Sequence, residues 1–130
     1  MKLASFTVIV SALERAGVRY IVAGGLAVNA HGYLRFTKDV DIVVQLVREN
    51  IVLQFWSDKH PETPINMFVT EPFPFDEEYS RALVKPLHGS IDVRFVSLPT
   101  LVRMKETAGR SQDLVDIENL KLRADDHAPK

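Results

Sequence analysis

The 130-residue sequence predicts a mixed α/β (α+β) fold, a twisted mixed sheet with helices packed against it. Three observations point there. Residues 3–16 place Leu3, Phe6, Ile9, Val10 and Leu13 at helical spacing. Two β-branched runs, 18–23 and 39–46, read as buried strands. Strand and helix signals then alternate along the chain and end in two consecutive helices, a pattern that builds a sheet covered by helices.

The first helix is expected to stop at Gly17. Lys2 followed by an apolar stretch loosely imitates a secretory leader, but Ser5, Thr7 and Ser11 interrupt it and Glu14-Arg15 close it without a small-residue cleavage site, so the amphipathic helix is the reading taken. The strand 18–23 runs into Gly24-Gly25, and a second helix is expected over 26–31, stopped by Gly32. Residues 39–46, Asp-Val-Asp-Ile-Val-Val-Gln-Leu, carry the strongest strand signal. Residues 51–56 and 65–69 are expected to pair as a hairpin across the turn cluster 57–64. A short helix over 75–83 has Asp76, Glu77 and Glu78 favourably placed in its first turn. A strand over 91–96 leads to a helix capped by Ser97, tolerant of Pro99 in its first turn and ended by Gly109. Ser111 is expected to cap a last helix with Leu114, Ile117 and Leu120 on one face. Residues 1–123 form one domain, and 124–130 read as a frayed tail.

Composition narrows the function classes. An apolar fraction of 46% and a charged fraction of 25% are those of a globular domain. The formal net charge is −1. Neither half of the chain is strongly basic, so no large electrostatic footprint for nucleic acid is visible. The absence of cysteine removes disulfides, thiolate metal sites and cysteine nucleophiles together, and it suits a cytoplasmic protein. No apolar run approaches the ~18 residues that span a bilayer, so no membrane partner is expected.

Two constellations carry chemistry. Gly24-Gly25 stands directly after a strand and before a helix. A glycine turn lets backbone approach a ligand closely, and the N–H groups of the following helix attract anions. The turn therefore reads either as a phosphate site or as an ordinary tight turn. The second constellation is Asp39-Val40-Asp41. Residues i and i+2 of a strand share a side, so two carboxylates are held together, and their repulsion is relieved well by a divalent cation. Oxygen ligands suit Mg²⁺, which is usually held by one or two carboxylates and by substrate phosphates. The alternative is a solvated strand end.

Thirteen residues separate Gly25 from Asp39, and this Gly-Gly to Asp-apolar-Asp spacing resembles that of the nucleotidyltransferase superfamily. The stretch from Gly24 through His31-Gly32, Arg35 and Thr37-Lys38 to Asp39-Val40-Asp41 is similar to the AbiEii/AbiGii toxin-like nucleotidyltransferases and their minimal relatives. So is the C-terminal series Ser97-Leu98, Met104-Lys105, Ala108-Gly109-Arg110 and Asp113-Leu114-Val115-Asp116-Ile117. The resemblance implies a nucleotidyltransferase fold and transfer of a nucleoside monophosphate from a triphosphate such as ATP to a hydroxyl of protein or RNA. It implies that Asp39 and Asp41 are catalytic and hold Mg²⁺ (or Mn²⁺), and that Gly24, Gly25 and Lys105 bind the triphosphate. It also implies a cognate partner of the toxin–antitoxin kind. Lys105 also reads as a surface lysine, and Arg110, Asp113 and Asp116 as an exposed ion-pair cluster. Arg35 reads as a phosphate contact or as a loop closure over Asp39. His31 has no second histidine at metal-ligand spacing and reads as a packing or hydrogen-bonding residue. Phe6, Phe55, Trp56 and Phe68 read as core or rim aromatics.

Two departures bear on activity. Transfer usually uses a third carboxylate on a neighbouring strand, which helps to hold a second metal. The strand at 64–69 aligns with the one that carries this acid, and the position holds Asn66, a neutral amide. Asp92, in Ile91-Asp92-Val93, has the apolar-acid-apolar pattern and is the substitute to test. Relatives also carry a longer segment between the positions of Asn50 and Ile51. The alternative to an active enzyme is thus a catalytically degenerate member that binds nucleotide or a partner.

Overall fold

The computed structural model describes residues 3–37, 39–45, 65–68, 73–86 and 91–127. Along the chain these form α1 (Leu3–Arg15), β1 (Tyr20–Ala23), α2 (Gly24–Ala30), β2 (Val40–Val44), β3 (Ile65–Phe68), α3 (Phe75–Arg81), β4 (Leu83–Pro86), β5 (Asp92–Phe95), α4 (Leu98–Ala108) and α5 (Ser111–His127). The strands make one mixed sheet in the order β3-β2-β1-β5-β4. The mixed α/β fold read from the sequence is the one observed.

The sheet interior follows from β-branched sequence. Ile21, Val22, Val40, Ile42 and Val43 are fully buried, as strands covered on both faces require. The apolar stripe of α1, Phe6, Ile9, Val10 and Leu13, packs into this core. β1 and β2 are antiparallel, with Ala23 opposite Asp41. The chain therefore leaves β1 at one end of the sheet, turns through α2 and a loop, and re-enters β2 at that same end. This is why a glycine pair ending one strand and an acid pair opening the next, far apart in sequence, become neighbours.

β3 runs parallel to β2, with Asn66 opposite Asp41, and β5 runs parallel to β1, with Phe95 opposite Val22. The expected strand at 51–56, the turn cluster 57–64, Phe55 and Trp56, and the junction of Asn50 with Ile51 all lie outside the described residues.

Several local expectations are corrected. β4 falls partly in the segment read as the end of a helix; α3 stops at Arg81, and Leu83–Pro86 pairs antiparallel with β5 as an exposed edge strand. α2 begins at Gly24 itself, two residues earlier than expected. Ser97 occupies the N-cap of α4, but its side chain makes no capping bond. Instead the fully buried Glu78 of α3 accepts hydrogen bonds from the Ser97 N–H (2.6 Å), the Ser97 hydroxyl (3.2 Å) and the Thr100 hydroxyl. A carboxylate at a helix N-terminus satisfies orphan donors and opposes the helix dipole. Gly109 ends α4 in the left-handed conformation (φ +63°), as its sequence position predicts. At α5, Asp113 reaches back to accept the Arg110 N–H (3.1 Å), half of a capping box, in place of Ser111. The buried side of α5 carries Asp113, Asp116, Ile117 and Leu120, while Leu114 is exposed. The helix continues to His127, past the point where the tail was expected to begin.

Candidate functional site

The junction of β1 and α2 is built around Asp41. Gly24 is left-handed (φ +63°), and a Cβ placed on it would lie 1.9 Å from Asp41 Oδ2 and 2.8 Å from its Cγ. The carboxylate fills the space that any other residue's side chain would need. The next glycine is constrained by the loop after α2. A Cβ on Gly25 would lie 2.5 Å from Thr37 Oγ1 and 3.3 Å from Arg35 Nη2. Asn29 Oδ1 accepts the Arg35 N–H (3.1 Å), which ties this loop back to α2. The Thr37 hydroxyl reaches the Asp39 carbonyl at 3.4 Å, a long bond. Asp39 precedes the first residue of β2, and both it and Asp41 are half-buried.

Beneath this junction lies an ion network between α4 and α5. Lys105 Nζ donates to Asp113 Oδ1 (3.0 Å) and pairs with Asp116 Oδ2 (2.9 Å), and its side chain is only 7% exposed. Arg35 grips Asp116 with two parallel bonds, Nε to Oδ1 at 2.7 Å and Nη2 to Oδ2 at 2.8 Å. Gln112 Nε2 adds a third donor to Asp116 at 2.8 Å. Arg110 Nε donates to Asp113 Oδ2 at 2.8 Å, with its own side chain 76% exposed. Burial alone would raise the Asp113 pKa, but hydrogen bonds from Arg110 and Lys105 outweigh it and hold the carboxyl at about 2. Asp116 is likewise lowered: burial opposes its charge, and Arg35, Lys105 and Gln112 overcome that penalty. The Arg110 guanidinium is raised, chiefly by its hydrogen bond to Asp113 and with a smaller contribution from Asp41. Buried charges persist only when paired and hydrogen-bonded in this way.

Two cavities meet over the network. One, of about 470 Å³, runs from Gly24 and Asp41 along α4 to Phe73, Leu101 and Met104. The other, of about 710 Å³, is lined by Gly25, Arg35, Phe36, Thr37, Asp39 and Gln112. Asp41, Lys105, Arg110 and Asp113 line both. The junction thus brings together two carboxylates, a helix N-terminus and two cations. Among the described residues there is no group of three or more His, Cys, Asp or Glu side chains arranged to hold a metal ion. The donor set of Asp39 and Asp41 fits one hard cation whose remaining ligands come from water and phosphate oxygens. It does not fit an all-protein cage.

Residues 4–126 match the model of a protein family described as nucleotidyltransferase of unknown function (DUF6036). The chain belongs to this nucleotidyltransferase family. Among solved structures, it is similar to an antigenic nucleotidyltransferase-like protein from Paracoccidioides brasiliensis, with 18% identity over 97% of this chain and 77% of that one and a TM-score of 0.62. That likeness is one of fold. No curated protein matches the sequence.

Against the family's expectations, all five residues read as its site (Gly24, Gly25, Asp39, Asp41 and Lys105) line the joined cavities. Lys105 is not a surface lysine: its side chain is buried and two buried carboxylates hold it. Asp113 and Asp116 are buried, so the exposed ion-pair cluster is not what forms. Arg35 closes the loop through Asp116, not through Asp39. His31 Nε2 lies 2.8 Å from the Val96 carbonyl, the hydrogen-bonding role expected of it. Asp92 does not sit with Asp41. It is exposed at the opposite end of β5, three residues and roughly 10 Å before Phe95, whereas the site lies beyond the Phe95 end. The strand position beside Asp41 belongs to Asn66. Asp113 and Asp116 stand in the C-terminal motif string, but their burial, signalled only by their i, i+3 spacing in a helix with few apolar residues, was not expected. The sequence reading missed Phe36, an aromatic 78% exposed at the cavity rim.

Proposed function

We propose that the protein is a Mg²⁺-dependent nucleotidyltransferase that moves a nucleoside monophosphate from a nucleoside triphosphate to a hydroxyl of protein or RNA. The observation that carries this reading is the packing of the Asp41 carboxylate against Gly24 at the start of α2. It puts an acidic metal ligand and a helix N-terminus, which favours anions, within one contact of each other. Asp39 and Asp41 would hold the metal. It would draw charge from the phosphates and so make the α-phosphorus easier to attack.

The chain's own contribution is binding and orientation. The Gly24-Gly25 turn lets phosphate oxygens approach the backbone N–H groups of α2. An ammonium group has three donors, and two of those on Lys105 are directed at Asp113 and Asp116, which leaves one for a phosphate. Asp113 occupies one edge of the Arg110 guanidinium, and the exposed remainder faces the same cavities. In the reaction the acceptor oxygen bonds to the α-phosphorus, the bond from that phosphorus to the bridging oxygen breaks, pyrophosphate leaves, and the hydroxyl proton passes to solvent. Positioning and charge stabilisation supply the catalysis. The motif string around Arg35 and Arg110 resembles the AbiEii/AbiGii toxin-like members, and this supports a cognate partner protein.

A second reading is favoured by one observation. Asn66 stands opposite Asp41 on β3, where a third acid is expected. A chain without that acid binds Mg²⁺–nucleotide and acts through a partner, without transfer. The test is incubation with each nucleoside triphosphate labelled at the α-phosphate, with total RNA and protein as acceptors. Mg²⁺-dependent label that is lost in Asp41→Asn supports transfer. Label in Asn66→Asp only establishes the degenerate binder. Label unaffected by Asp41→Asn removes both.

A further inference from the structure

Resting on the reading that a triphosphate occupies the Asp41 junction, we propose that the nucleobase and ribose lie in the cavity along α4, against Met104 and Phe73. The larger cavity is then left to the acceptor. The two cavities share four residues, Asp41, Lys105, Arg110 and Asp113. Lys105 and Arg110 are the cations among them and Asp41 is the metal ligand of this reading, so the phosphates lie at the junction and the base extends to one side or the other.

The two sides differ in chemistry. The α4 side presents the part-buried Met104 and Phe73, at 9% exposure, with Arg103 and Thr107 at its polar edge, and the fully buried Leu101 backs them. Its hydroxyl at Thr100 is already engaged. Thr100 donates to Glu78 and accepts from Arg103 Nη2 (3.1 Å), so a base there meets no unsatisfied donor from it. The Glu78 carboxylate also ties the first turn of α4 to α3 through the Ser97 N–H. A cavity of about 470 Å³ is within the roughly 300–1,000 Å³ range of small-molecule sites, which are mostly apolar and largely pre-formed.

The other side is lined by Arg35, Thr37, Asp39 and Gln112, and the one aromatic among its described residues, Phe36, projects into solvent. Arg35 Nη1 donates to the Phe36 carbonyl (2.9 Å), so the ring is carried on a fixed backbone at the rim. That arrangement offers an incoming macromolecule an exposed aromatic edge.

The experiment uses protein labelled with ¹³C at the methionine methyl groups, with the Met104 signal assigned from Met104→Leu. Mg²⁺–ATP and Mg²⁺–tripolyphosphate are titrated separately, and binding of each is followed by thermal shift. The expected result is that both bind and that ATP binds about tenfold or more tightly through its buried base. ATP, but not tripolyphosphate, moves the Met104 methyl upfield through the ring current of the adenine, and Phe36→Ala leaves ATP affinity at the wild-type value. Bound ATP that leaves Met104 unmoved overturns the assignment, as does a Met104 shift that is the same with both ligands. A large loss of ATP affinity in Phe36→Ala places the base on the opposite side. If neither ligand binds, the triphosphate reading itself fails, an outcome distinct from the other three.

Discussion

Replacing Gly24 with alanine isolates the feature on which the site depends, because the protein contains its own controls. Gly24, Gly17 and Gly109 are all left-handed, at φ +63°, +68° and +63°. An L-residue in that conformation costs about 1–2 kcal/mol, wherever it stands. At Gly17 a new methyl group meets nothing within 4 Å, and at Gly109 its nearest neighbour is a carbonyl oxygen at 3.6 Å. Gly17→Ala and Gly109→Ala therefore report backbone strain alone. At Gly24 the methyl would fall 1.9 Å from Asp41 Oδ2, so the carboxylate rotates away or the first turn of α2 shifts. Overpacking of that kind adds about 1–3 kcal/mol. The expected destabilisation is about 1–2 kcal/mol for either control and about 2–5 kcal/mol for Gly24→Ala, measured by urea denaturation with m-values compared across the set. The same three variants are then heated with Mg²⁺–ATP. The controls keep the ligand-induced stabilisation and Gly24→Ala loses it, because Asp41 is displaced. Gly24→Ala that is no less stable than Gly17→Ala, and still responds to Mg²⁺–ATP, would refute the argument from the Gly24–Asp41 contact.

Two further outcomes follow from the ion network. The Asp113 carboxyl sits at about 2 in the folded protein, against an ordinary value of 3.8. Its stabilising contribution is therefore fully present above pH 4 and disappears as the pH falls through 2; at 1.36 kcal/mol per unit it amounts to about 2 kcal/mol. Acid titration of stability should show this loss between roughly pH 4 and pH 2, and Asp113→Asn should flatten the curve in that window. Lys105→Met leaves two buried carboxylates with one cation fewer, and breaking such a network costs about 3 kcal/mol, the low end of the usual range, since Asp113 retains Arg110 and Asp116 retains Arg35. Urea denaturation measures that loss; a change below about 1 kcal/mol, the scale of surface pairs, would mean the network is solvated.

Much of the site was legible because it rests on local rules. Gly24-Gly25 after a β-branched run and Asp39-Val40-Asp41 before another each announce a turn and a strand edge, and antiparallel pairing of β1 with β2 joins them. The amphipathic stripe of α1 and the glycine stop at Gly109 were readable for the same reason. What escaped was decided by tertiary contact. Ser97 has the right residue type for a cap, yet Glu78, nineteen residues earlier, takes the role because α3 docks on the start of α4. Leu114 fits an apolar pattern with Ile117 and Leu120, but the face that turns inward is the one carrying Asp113 and Asp116, whose burial only makes sense once Lys105 and Arg35 are beside them. Asp92 matches the expected acid in local pattern, and only the direction of β5 shows that it stands at the wrong end of the sheet. β4 was hidden because Leu83–Pro86 is a short, mostly exposed edge strand ending in proline, which lacks the alternation that marks a half-buried one.

The most direct test of the account is the thermal stability of the purified protein titrated with the Mg²⁺ complex of each of the four nucleoside triphosphates, beside the Asp39→Asn/Asp41→Asn double variant. The account predicts a stabilisation that requires Mg²⁺, reaches about 2.7 kcal/mol at a hundred times the dissociation constant, and vanishes in the double variant. No stabilisation by any of the four nucleoside triphosphates, or a stabilisation that persists without the two aspartates, would contradict it.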